Sequence, residues 1–97
     1  MAVETIPVQQ IPDQEFEITL GGQECKIRIF QRFRYCYMDL IVDDKTLFQG
    51  RICLNNVDLV KESYFNFNGE LKFIDTQGEN DPYYTGFNER WYLVYVQ

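Results

Sequence analysis

The chain contains no histidine and a single serine, Ser63. Without histidine it lacks the side chain most used for proton transfer near neutral pH and the commonest metal ligand. That excludes His-based triads, His zinc sites and most hydrolase schemes. Ser63 has no G-x-S-x-G context, and no glycine-rich loop precedes a helix to cradle a phosphate. The three cysteines, Cys25, Cys36 and Cys53, lie 11 and 17 residues apart with no C-x-x-C pair, so neither a disulfide framework nor a zinc knuckle is indicated. Each sits among apolar residues at strand-like positions and reads as a buried, reduced thiol made in a reducing cytoplasm, with a redox or interchain role as the alternative. The longest apolar run, Trp91 to Val96, has six residues, against the ~20 needed to cross a bilayer. Met1 to Pro12 has neither the basic start nor the apolar stretch of an export signal. A soluble protein without a membrane partner is expected.

What is present is a β pattern. At 97 residues, 45% hydrophobic and 16% aromatic, the chain suits one domain with a radius of gyration of roughly 12–13 Å. A domain this small buries only about 60–65% of the surface its unfolded chain exposes, so partners are expected to supply part of its stability. Residues 1–14, with Pro7, Pro12 and isolated apolar positions, read as an extended N-terminal arm, and residues 15–97 as a single β domain. From Glu15 the period is two: Phe16, Ile18 and Leu20 alternate with polar residues, as in a strand with one buried face. Gly21-Gly22 suits a tight hairpin. Cys25–Gln31 and Tyr35–Val42 follow as strands, then Asp43-Asp44-Lys45 as a polar turn and Leu47–Leu54 as a fourth strand, with Gly50 marking a bulge or bend. Asn55–Tyr64 is the one helical candidate. A fifth strand is opened by Asn68-Gly69 and runs through Asp75, a long polar loop covers residues 76–88, and Glu89–Val96 closes the domain. The expected fold is all-β: a small antiparallel barrel or sandwich of about six strands with at most one short helix.

No catalytic constellation emerges. Asp75, Glu79 and Asp81 place three carboxylates in a Gly-containing loop, but their spacing fails the calcium-loop pattern and no distal bidentate Glu follows. Asp43-Asp44 are adjacent turn residues that point apart into water, so turn chemistry accounts for them better than an acid and base pair. No cofactor is implied and no enzyme is expected.

Charge carries the most local information. Nine Lys+Arg against fifteen Asp+Glu give −6 overall, so no chain-wide positive field draws in nucleic acid as a main partner. The distribution is uneven: −5 over residues 1–25, +3 over 26–61 and −4 over 62–97. Lys26, Arg28, Arg32 and Arg34 interleave with Phe30, Phe33, Tyr35 and Tyr37. Three readings fit that stretch: a solvated hairpin, a groove for single-stranded nucleic acid, or a contact surface, since Arg and aromatic residues are enriched in interface cores. Seven Tyr, eight Phe and one Trp exceed what so small a core hides, because alternating strands send some rings outward. The contact reading places Lys26, Arg28, Phe30, Arg32, Phe33 and Arg34 on one side and Asp75, Glu79, Asp81, Tyr83 and Tyr84 on the other.

The order of short pieces is also familiar. Ile6-Pro7, Phe16-Glu17-Ile18-Thr19-Leu20-Gly21-Gly22, Lys26-Ile27-Arg28-Ile29, Tyr37-Met38-Asp39-Leu40, Leu47-Phe48-Gln49-Gly50-Arg51-Ile52, Asp58-Leu59-Val60 with Tyr64, and Trp91 to Val94 together resemble the cyanophage-type baseplate plug family of contractile bacteriophage tails. The resemblance runs over nearly the whole chain. It implies a non-enzymatic virion component that self-associates about the tail axis, as a cyclic trimer or hexamer, and touches hub and tube-proximal proteins. The arm would then lie across a neighbour and pair at an exposed strand edge. A small barrel-like module binding single-stranded nucleic acid or a glycan is the alternative.

Overall fold

The computed structural model describes residues 3–60 and 67–97. Seven strands form two antiparallel sheets. The first is three-stranded in the order β1 (Val3–Ile6), β7 (Trp91–Val96), β6 (Glu70–Asp75). The second is four-stranded and follows chain order: β2 (Asp13–Leu20), β3 (Gln23–Arg32), β4 (Tyr35–Val42) and β5 (Lys45–Cys53). They do not close into a barrel, so the sandwich alternative describes this chain. Its Cα radius of gyration is 12.4 Å.

The period-two reading holds along the larger sheet. Cys25, Ile27 and Ile29 of β3 and Cys36, Met38, Leu40 and Val42 of β4 are buried, while the residues between them face outward. Leu71, Phe73, Leu93 and Tyr95 answer from the smaller sheet, and all belong to one apolar core. Gly50 has φ +63° and lies where the β4–β5 register slips between Met38 and Leu40, so β5 bulges there as the isolated glycine suggests. Asp43 and Asp44 both take left-handed φ, +49° and +66°, the geometry of a tight two-residue hairpin.

Two expectations need correction. Val3–Ile6 is a strand of the chain's own sheet rather than a free arm: it pairs with β7, Val3 opposite Val96 and Ile6 opposite Leu93, and Ile6 and Val8 are core residues. Burying those two side chains is worth ~1.5–3 kcal/mol each, enough to hold the segment down within its own chain. The helix expected from Asn55 does not form over residues 55–60. There the chain turns at Asn56, whose φ is +57°, and follows the outer edge of β6: Asn55 bridges Phe73 in parallel, and the N–H of Leu59 donates to the Leu71 carbonyl at 2.8 Å. Leu59 and Val60 are buried by that edge packing rather than by a helical face. The remainder of the helical candidate, residues 61–64, lies outside the described residues. A single 3₁₀ turn, Tyr84–Gly86, is the helical element among them.

Strand direction places function. The β3–β4 turn, the end of β5, the 76–90 loop and residues 8–12 gather at one end of the sandwich. The β2–β3 turn at Gly21-Gly22 and the β4–β5 turn at Asp43-Asp44 lie at the opposite end.

Candidate contact surface

On the outer face of the larger sheet, side chains sort strand by strand. The acids Asp13, Glu15 and Glu17 of β2 stand opposite Phe30, Arg28 and Lys26 of β3, which stand opposite Tyr37, Asp39 and Ile41 of β4. The basic row is therefore answered inside the chain. Arg28 donates from Nε and Nη2 to the two carboxylate oxygens of Asp13 at 3.2 and 2.8 Å, and a second carboxylate, Asp39, lies 3.9 Å away. That bidentate guanidinium holds the Asp13 carboxyl below its usual range. Lys26 sits 3.5 Å from Glu15. Arg28 and Arg32 also bracket the Phe30 ring, at 4.6 and 4.9 Å from its centroid, and Phe30 stacks on Tyr37 at 5.8 Å.

Beyond that neutralised row the hairpin tip is different. Phe33 is 96% exposed and takes φ +56°. It is the first residue of the two-residue β3–β4 turn, a place where glycine is favoured because a Cβ crowds the left-handed backbone. Arg32 and Arg34 flank it, both exposed, and neither pairs with an acid among the described residues. Four more exposed apolar residues gather at the same end: Ile11, Tyr35, Ile52 and Tyr83. Hydrogen bonds and pairings place them there. The Gln31 N–H donates to the Pro12 carbonyl at 2.7 Å, Tyr35 is opposite Arg32, and Ile52 is opposite Tyr37. The Cys36 thiol reaches the carbonyl of Pro82, next to Tyr83, at 3.5 Å.

The acidic loop is built differently from its sequence impression. Asp75 is buried, its carboxylate paired with Arg90 through Nε and Nη2 at 2.8 and 2.9 Å. It also accepts the N–H groups of Gln77 and Asn80, each at 2.9 Å. Arg90 and these two donors hold its carboxyl far below the usual carboxylate range. Asp81 is likewise occupied, accepting the Asn55 N–H at 3.0 Å. The loop is stapled further by Phe87, fully buried and stacked on Phe73 at 5.5 Å, and by the Trp91 indole N–H donating to the Asn80 carbonyl at 3.0 Å. Of the loop residues singled out from sequence, Glu79 and Tyr83 face solvent, and the Tyr83 ring stacks on half-buried Tyr84 at 5.1 Å.

The structure thus gathers Arg32, Phe33, Arg34, Tyr83 and Tyr84 at one end. It leaves Lys26, Arg28 and Phe30 on the sheet face among their own acids, and turns Asp75 inward. Ile11 and Ile52 were not singled out from sequence as contact residues, and Tyr35 was named in the basic and aromatic stretch without being placed on either side of the contact. The outward register of Tyr35 and Ile52 was readable from the alternation, but their convergence with residue 11 and the loop is a tertiary fact.

The thiols offer no reactive group. Burial pushes Cys25 up to about 11 and Cys36 up to about 12, and raises Cys53 well above its ordinary value. No group of His, Cys, Asp and Glu among the described residues is arranged to hold a metal ion.

Comparison with known families gives a match over residues 3–97 to the family described as cyanophage baseplate Pam3 plug gp18. No curated protein matches the chain.

Proposed function

The chain belongs to the cyanophage baseplate plug family, and from that premise we propose that the Phe33 end of its sandwich is the surface by which it locks into its surroundings. It is a structural protein of the virion's tail baseplate, and it acts among other baseplate proteins. In our reading it runs no reaction. It self-associates as a ring about the tail axis and braces the hub and the tube-proximal proteins, with complementary surface as its whole mechanism.

One observation carries this reading: Phe33 is unfavourable twice over in an isolated chain. Its ring lies in water, and its backbone sits in a left-handed turn position that costs a non-glycine residue ~1–3 kcal/mol. A hairpin built only to turn would carry glycine, asparagine or aspartate there, as the β4–β5 turn carries Asp43. An aromatic anchor between two arginines, at the same end of the sandwich as exposed Tyr35, Ile52, Tyr83 and Ile11, has the composition of a binding hot spot.

The test is co-assembly with the neighbouring baseplate proteins. Phe33→Gly should leave the isolated domain folded and raise its stability by up to ~1 kcal/mol in urea denaturation, while reducing incorporation into baseplates at least tenfold. Incorporation at the wild-type level would overturn the proposal. The single-strand-binding alternative is disfavoured by the ion pairs that neutralise Lys26 and Arg28.

A further inference from the structure

At the opposite end of the larger sheet lies an open groove of about 370 Å³. Its floor is the outer sheet face, with Ile41, Thr19 and the stem of Lys26, and its walls carry Glu17, Glu24 and Asp44. Three carboxylates face one ammonium, and that ammonium leans 3.5 Å from Glu15, so the groove is polar and net negative, with Ile41 among its lining residues. The hairpin tip is its converse, an aromatic ring between Arg32 and Arg34. A chain cannot satisfy both with its own parts, because Cys25 at the groove and Phe33 at the tip are separated along β3 by eight residues, or roughly 25 Å of strand.

We infer that the Phe33 tip of one copy seats in the Glu17–Glu24–Asp44 groove of a second copy. This rests on the contact reading above and names its occupant. The ring covers Ile41, while Arg32 and Arg34 meet the carboxylates, so charge sets the register and the aromatic supplies the burial. Tip and groove are different patches, so the contact is heterologous. Every copy uses both, and the chain of contacts closes into a ring where the rotation allows. Glu17, Glu24 and Asp44 thereby acquire a purpose that Asp75 and Asp81, held by Arg90 and Asn55, do not serve.

Sedimentation of the full-length chain tests this with two variants at exposed strand and turn positions, R32E/R34E and E17K/E24K, whose folding is checked by circular dichroism. Wild type should form concentration-dependent higher species, and each variant alone should associate at least tenfold more weakly. An equimolar mixture should regain association, because each acidic tip of R32E/R34E then meets a lysine-bearing groove of E17K/E24K, and each arginine tip of E17K/E24K meets an acidic groove of R32E/R34E. If E17K/E24K does not fold, E17Q/E24Q takes its place and should weaken association in the same direction. A wild type that sediments as a monomer throughout, a groove variant that associates normally, or a mixture that fails to recover would overturn the inference. Normal association of the groove variant combined with failed baseplate incorporation of Phe33→Gly would sink the groove alone and leave the contact surface standing.

Discussion

Asp75 shows how much one side chain can organise. Its carboxylate takes the Arg90 guanidinium and the N–H groups of Gln77 and Asn80, and its own N–H donates to the Asn55 side-chain carbonyl at 2.9 Å. The 76–90 loop, the 55–60 segment and the start of β7 therefore converge on one residue. Its folded-state carboxyl titrates well below the ordinary aspartate value of 3.8, so its contribution is present in full above that value and is lost as pH falls below it. Asp75→Asn removes the charge and leaves Arg90 without its carboxylate, so the variant should have a lower Tm at neutral pH. Its Tm should also fall less steeply than wild type between about pH 5 and about pH 2. Thermal unfolding followed by the fluorescence of Trp91, whose indole is anchored in this loop, reads both effects. Parallel acid limbs in the two proteins would show that Asp75 is not the titrating latch.

At the scale of elements, two glycines separate backbone conformation from crowding. Gly22 has φ +79° with open space where a Cβ would stand, whereas Gly69 has φ +112° and a Cβ there would lie 2.5 Å from Cε1 of Tyr95. Tyr95 is a core residue whose hydroxyl donates to the Asn68 carbonyl, so it cannot swing away cheaply. Gly22→Ala should therefore cost only the left-handed backbone term, ~1–2 kcal/mol. Gly69→Ala should cost ~2–4 kcal/mol, because overpacking adds to strain. Urea denaturation of the two variants checks the difference, and equal losses would mean that the Tyr95 contact relaxes freely.

The same scale shows what was legible in sequence. β4 was read with its observed ends, Tyr35–Val42, and β3 within two residues at its start and one at its end, because long amphipathic alternation is a local signal. β1 was invisible as a strand of this domain: only Ile6 of its four residues is buried, and its partner β7 lies some ninety residues on. Leu59 and Val60 suggested a helix because their spacing cannot distinguish a helical face from chain laid along a sheet edge. The Arg and aromatic composition of the Phe33 turn was readable in the sequence, whereas its full exposure is a property of the fold. The inward turn of Asp75 was not readable, since its partner Arg90 is fifteen residues away and a carboxylate among Gly, Asn and Asp reads as solvated.

For the whole molecule, the question is whether the clustered arginines and rings add up to a nucleic-acid surface. Single-strand binding draws its strength from phosphates neutralised by free cations, and affinity falls with salt at a logarithmic slope of about −0.7 per contact. Lys26 and Arg28 are already engaged by Glu15, Asp13 and Asp39, and the chain as a whole carries −6. Arg32 and Arg34 are the cations of the stretch without an acid partner among the described residues, which limits the slope to about −1.4. Phe30, the ring best placed to stack a base, is covered by two guanidiniums and Tyr37. A labelled oligonucleotide should therefore show only weak binding that fades gently as salt rises, in fluorescence anisotropy with the full-length chain. R32E/R34E should remove even that. Tight binding with a slope steeper than about −3 would require the β2 acids to release β3, and would make the sheet face, rather than the hairpin tip, the working surface of the protein.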